Sequence, residues 1–107
     1  MQMRVLWVAI TVALPLPAMS QSLETMTLAN NLGSVLASEE KCGLSFNQKA
    51  IEAFIEKKVS ADDMGFASTL NTMTSGSKAQ LQRMSQSALT AHCTQIRRVA
   101  KSYGFTE

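Results

Sequence analysis

Ninety residues follow Pro17, and none of them is proline. Every backbone N–H in that stretch can donate and no pyrrolidine ring blocks a helix interior, so helices are open to the chain throughout. The apolar residues use that freedom with a 3.6-residue period. In a first segment, Leu23 to Ala37, the residues Leu28, Leu32, Val35 and Leu36 form one stripe, which Leu23 and Met26 continue. Glu39 and Glu40 follow where a helix dipole favours cations, so this helix is expected to stop by Ala37 or to have Lys41 offset the pair. Ser45 then opens a Ser-x-x-Gln capping box with Gln48, which predicts a second helix from Phe46 that buries Ala50, Ile51, Phe54 and Ile55 and closes on Lys57 and Lys58. Ser60 is the expected N-cap of a third, Ala61 to about Thr74, with Met64, Ala67, Leu70 and Met73 or Phe66 inward and Gly76 at its end. Ser77 caps a fourth that carries Leu81, Met84, Leu89, Cys93, Ile96, Ala100 and Tyr103. Clustered serines at Ser85–Ser87 invite a break within it, giving a fifth helix. Gly104 supplies a left-handed stop, with Phe105 folded back on Ala100. The predicted fold class is all-α, a small bundle of four or five helices.

The first twenty residues read differently. MQMRVLWVAITVALPLPAMS has one cation at Arg4, an apolar run from Val5 to Leu16, and small residues at Ala18 and Ser20. That is the three-part pattern of a cleavable secretory signal. The apolar run is shorter than the roughly 20 residues that span a bilayer. We therefore expect cleavage before Gln21, with no stable membrane anchor afterwards, and a single helical domain over residues 21–107. The expected location is the periplasm, the alternatives being the extracellular space or retention by an uncleaved signal. Of the ten Lys/Arg, Arg4 leaves with the signal, so nine face eight Asp/Glu. A balance so close to zero gives no electrostatic reason to expect nucleic acid or anionic lipid as a partner.

A domain of this size buries only about 60–65% of the surface its unfolded chain exposes, so its stability is marginal without a further constraint. Cys42 and Cys93, the only cysteines, supply one. Export leads to an oxidising compartment, where such a pair is found as a disulfide. Closing a loop of about 50 residues stabilises the fold by about 4 kcal/mol in the chain-entropy model.

His92 stands directly before Cys93, which raises thiol or metal chemistry. Neighbours on a helix point about 100° apart and form no dyad. One His and two separated Cys do not complete a four-ligand zinc site, and neither CxxC nor HxxxH spacing occurs. Cys93 is thus read as a half-cystine on the buried stripe, and His92 as the candidate pH-sensitive group beside it. Arg97, Arg98 and Lys101 form a candidate docking patch for an anionic partner, the alternative being dipole compensation on a solvated face. Asp62 and Asp63 lack the spaced oxygens of a calcium loop and read as first-turn acids. Glu52 and Glu56 share one helix face and read as solvated rather than as an acid–base pair. Met26, Met64, Met73 and Met84 would fill a core or line an adaptable apolar groove. No catalytic residues, cofactor or metal are expected from these patterns.

With its signal sequence and two cysteines, the chain resembles the small exported helical proteins of Gram-negative bacteria, a likeness that implies no activity. In architecture, and in the short CTQ of Cys93–Gln95, it also resembles the periplasmic acid-stress chaperones of the HdeA type, although SEEKCGLSF has no counterpart to the Trp-containing segment before that family's first cysteine. The expected function is a non-enzymatic module that engages a protein or an apolar ligand. The alternatives are an acid- or stress-responsive chaperone, as the second resemblance implies, and an inhibitor or accessory subunit of a periplasmic enzyme.

Overall fold

Four helices carry the fold in a computed structural model that describes Thr11 and residues 17–107, with side chains from Leu23 onward apart from Thr11. They are α1 (Pro17–Ala37), α2 (Gln48–Lys58), α3 (Phe66–Leu81) and α4 (Gln86–Ser102). No strand occurs among the described residues. The protein is an all-α bundle with one disulfide. Most of the expected export signal, including its apolar run apart from Thr11, lies outside the described residues. The backbone of α1 begins four residues before the expected new N-terminus at Gln21.

The seam between α1 and α3 is the most extensive helix contact. Gly33 makes it close: a Cβ there would meet the Met73 Cβ at 3.0 Å and the Thr74 N at 3.1 Å. Ala29 and Ala37 are buried one turn to either side of Gly33, so small residues at a spacing of four let the two backbones approach. Leu32 and Val35 are buried as the periodicity predicts, while Leu28 and Leu36 are partly covered.

Both positive-φ glycines end a helical turn in the same way. Beyond α4, the Gly104 N–H donates to the Lys101 carbonyl at 3.0 Å and the Phe105 N–H to the Ala100 carbonyl at 2.9 Å. With Gly104 at φ +80°, this is the Schellman stop expected from the sequence. Beyond α1, the chain makes one further turn through Ser38–Cys42, which Gly43 closes at φ +67° with the Leu44 N–H on the Glu39 carbonyl. Phe105, 1% exposed, is thereby driven into a cluster with Phe46, Phe54 and Tyr103, its centroid 5.5–5.8 Å from each of theirs.

Helix boundaries depart from the pattern in three places. α2 is capped by Asn47, whose Oδ1 accepts from the Ala50 N–H, rather than by Ser45. The Phe46 and Asn47 amides, which a start at Ser45 would have left open, have partners in the Glu39 carboxylate and the Phe105 carbonyl. α3 begins at Phe66, which is buried, so Ser60 caps only an isolated turn and Met64 is 87% exposed instead of in the core. α3 then runs through Gly76 as far as the buried Leu81, and Ser77 caps nothing. The single break falls at Gln82–Ser85, where the Ser85 Oγ accepts from the Ala88 N–H and starts α4. One break rather than two gives four helices.

Candidate functional site

Two regions gather the residues singled out by sequence. The first is the stapled turn after α1. Cys42 and Cys93 are bonded, with their Cα atoms 5.2 Å apart, and both are buried. One residue earlier on α4, the His92 ring reaches Ser38, with Nε2 2.8 Å from Oγ. Ser38 is wholly buried, and its hydroxyl donates to the Ser34 carbonyl at 2.7 Å. A hydroxyl carries one proton, so with that proton committed to Ser34 the imidazole donates from Nε2. A serine within hydrogen-bond reach of a histidine is the geometry of a nucleophile and its base. Here the oxygen is covered and its proton points away from the ring, so the contact ties the turn after α1 to α4.

The same turn takes up part of the basic cluster. Arg97 Nη2 donates to the Cys42 carbonyl at 3.2 Å, supplying a cation at a helical C-terminus where the dipole favours one. Arg98 Nη1 bonds Gln95 Oε1 at 3.0 Å on the solvent face, and Lys101 is exposed. Of the candidate docking patch, the fold thus assigns Arg97 a structural contact and leaves Arg98 and Lys101 facing solvent. Glu39, out of place by the dipole argument, is explained by its carboxylate Oε2, which accepts from the Phe46 N–H at 2.7 Å just ahead of α2.

The second region lies toward the N-terminal half of α1. There Glu24–Met26 and Leu28, the end of α2 at Lys58, the link through Ser60, Asp62, Asp63 and Gly65, and Thr69 of α3 enclose an open groove of about 730 Å³. The large exposed apolar side chains of the described protein stand at this end of α1 and in the adjoining link: Leu23 at 64%, Met26 at 46% and Met64 at 87%. Asp62 and Asp63, read from sequence as first-turn acids, are groove walls in the α2–α3 link, because α3 starts at Phe66, five residues after the expected start at Ala61. Glu52 and Glu56 are exposed on α2, as expected. Met73 and Met84 are partly buried, Met26 lines the groove and Met64 is exposed in the link.

Sequence reading missed Ser38, Glu39 and the groove itself. Gly33 had a signal, the small residues four apart on either side. Ser38 had none, since its partner lies 54 positions away. Among the described residues, no three His, Cys, Asp or Glu side chains come together as metal ligands, and no helix is long and apolar enough to cross a membrane. No family model, no curated protein and no solved structure matches the chain.

Proposed function

We propose that this is an exported, periplasmic, non-enzymatic helical protein whose groove beside the N-terminal half of α1 binds a protein or an apolar ligand. In this reading residues 1–20 are a signal removed before Gln21, and the Cys42–Cys93 bond suits the oxidising compartment beyond. The observation that carries the reading is a groove lined by Met26 and Leu28, with the other exposed large apolar side chains of the described residues, Leu23 and Met64, beside its lining residues in sequence. Native mass spectrometry of the chain purified from the periplasm tests it. A mature chain starting at Gln21, oxidised and carrying a bound lipid or protein, supports the reading. Turnover of a substrate abolished by a single surface substitution refutes it. Co-purification with an enzyme whose rate the chain alters would place it instead among inhibitors or accessory subunits.

One observation favours the second reading, an acid-responsive chaperone. One of the contacts that hold the stapled turn, the Phe46 N–H on Glu39, has a carboxylate as its acceptor. Binding of an apolar dye at pH 3 together with protection of an aggregating client supports it, and a chain that does neither eliminates it.

A further inference from the structure

We propose that the groove receives a basic, amphipathic segment of a partner protein. The proposal rests on the binding-module reading and adds the chemistry of the occupant. Glu24, Asp62 and Asp63 place three carboxylates on its walls against one ammonium, that of Lys58. Met26 and Leu28 line the same groove, and Leu23 and Met64, next to lining residues in sequence, are exposed. An occupant that matches these walls carries apolar side chains toward Met26 and Leu28 and cations toward the acids, a pattern an amphipathic helix provides at positions three and four apart. Unbranched thioethers adjust to varied apolar shapes, so Met26 lets the groove accept such a face without requiring one side chain.

The same walls disfavour the other occupants. An anionic bilayer or a nucleic acid would bring phosphates against three carboxylates. A second copy offers cations in Arg97, Arg98 and Lys101, but Arg97 is held on the Cys42 carbonyl, and the exposed large apolar side chains of the described chain are Leu23, Met26 and Met64, away from that cluster. The chain's own basic face therefore lacks the apolar half of the match.

The test uses the oxidised mature chain and a dye-labelled peptide of about 18 residues, built from Leu and Lys in helical register and followed by fluorescence anisotropy. Two control peptides replace every Leu by Ser or every Lys by Glu. The expected result is binding of the Leu/Lys peptide alone, weakening as salt is raised, and about tenfold weaker binding to the Asp62→Asn/Asp63→Asn variant. Met26→Ser, which leaves the charges in place, should weaken binding without changing its salt dependence. Both substitutions lie at exposed or half-covered positions, and an unchanged circular dichroism melt verifies folding.

Equal affinity of the variant, or equal binding of the Ser/Lys peptide, overturns the proposal. So does binding of anionic phosphatidylglycerol vesicles in place of the peptide, or a concentration-dependent dimer that Asp62→Asn/Asp63→Asn dissolves. The two levels separate in the periplasmic preparation: a bound partner that survives both groove variants refutes the groove as its site and leaves the binding-module reading standing.

Discussion

Gly33 and Gly76 provide a test in which one substitution should have opposite signs at two places. Both lie inside helices, neither has a positive φ, and both are glycine-to-alanine positions of the same kind as far as the local backbone is concerned. In a helix interior alanine is favoured over glycine by about 1 kcal/mol. At Gly76 nothing lies within 4 Å of the added Cβ, so Gly76→Ala should realise the full gain. At Gly33 the added carbon meets the Met73 Cβ at 3.0 Å, the Thr74 N at 3.1 Å and the Met73 carbonyl carbon at 3.2 Å. Carbon atoms pack best at about 3.5–4.0 Å, and these neighbours are backbone or bound directly to it, so α1 and α3 must part by about half an ångström.

Overpacking of that kind costs about 1–3 kcal/mol. Set against the propensity gain, Gly33→Ala should lose about 1 kcal/mol net, about 2 kcal/mol below Gly76→Ala. In a domain of this size each kcal/mol moves the melting temperature by about 4–8 °C, so the two alanines should melt about 8–16 °C apart, with the unmodified protein between. Urea unfolding followed by far-UV circular dichroism, with the disulfide intact and the m-value unchanged, gives the same comparison in free energy. A Gly33→Ala protein as stable as Gly76→Ala would refute the close α1–α3 approach.

Replacing both cysteines by serine should lower stability by about 4 kcal/mol, read from the urea midpoint; a loss below about 1 kcal/mol would mean that the unfolded chain is not freed by opening the loop. Ser38→Ala strands the His92 Nε2–H and the Ser34 carbonyl and should cost about 1–3 kcal/mol, most of it shared with His92→Ala in a double-mutant cycle. Nitrogen NMR of the neutral ring should find the proton on Nε2, and a proton on Nδ1 instead would mean that the Ser38 hydroxyl points at the ring and that the pair is not the tie described. Gly104→Ala, forced to φ +80° with no crowding of its Cβ, should lose about 1–2 kcal/mol by thermal melting. Unchanged stability there would exclude the left-handed stop.

Helix number, the buried stripe of α1, the final Schellman stop and the cysteine pairing were legible because each is written locally or by elimination. Apolar periodicity marks a face, Gly104 followed by Phe105 marks an end, and two cysteines in one chain allow one intramolecular bond. Helix starts were less legible because remote groups decide them. Ser45 and Asn47 are both good caps, and the choice falls to Asn47 because Glu39 and the Phe105 carbonyl hold the two preceding amides. Met64 illustrates the consequence for the site. Placed in a helix from Ala61 it falls on the buried stripe, but Phe66 takes the interior position and starts α3 later, which leaves Met64 in the link and turns Asp62 and Asp63 into groove walls. A shift of a few residues at one helix start separates a core methionine from an exposed one.

The fixed and adaptable parts of the protein are set apart along α1. Toward its C-terminal end lie the disulfide, the His92–Ser38 and Arg97–Cys42 contacts, Glu39 on Phe46, Asn47 on the Phe105 carbonyl, and the rings packed around Phe105. The link between α2 and α3 has only short-range turns, such as Asp63 N–H on the Ser60 carbonyl and Met64 N–H on that of Asp62. Few buried contacts and local hydrogen bonds are the marks of a segment that opens at low free energy, so the link is where the protein can adjust to an occupant without opening its core. Because α1 carries both regions and is held against α3 at Gly33, the groove has one firm wall and one yielding wall. Substitutions at Met26, Asp62 and Asp63 should therefore change binding at constant stability, and substitutions at Cys42, Ser38 and Gly104 should change stability while leaving the groove's charge and apolar walls in place.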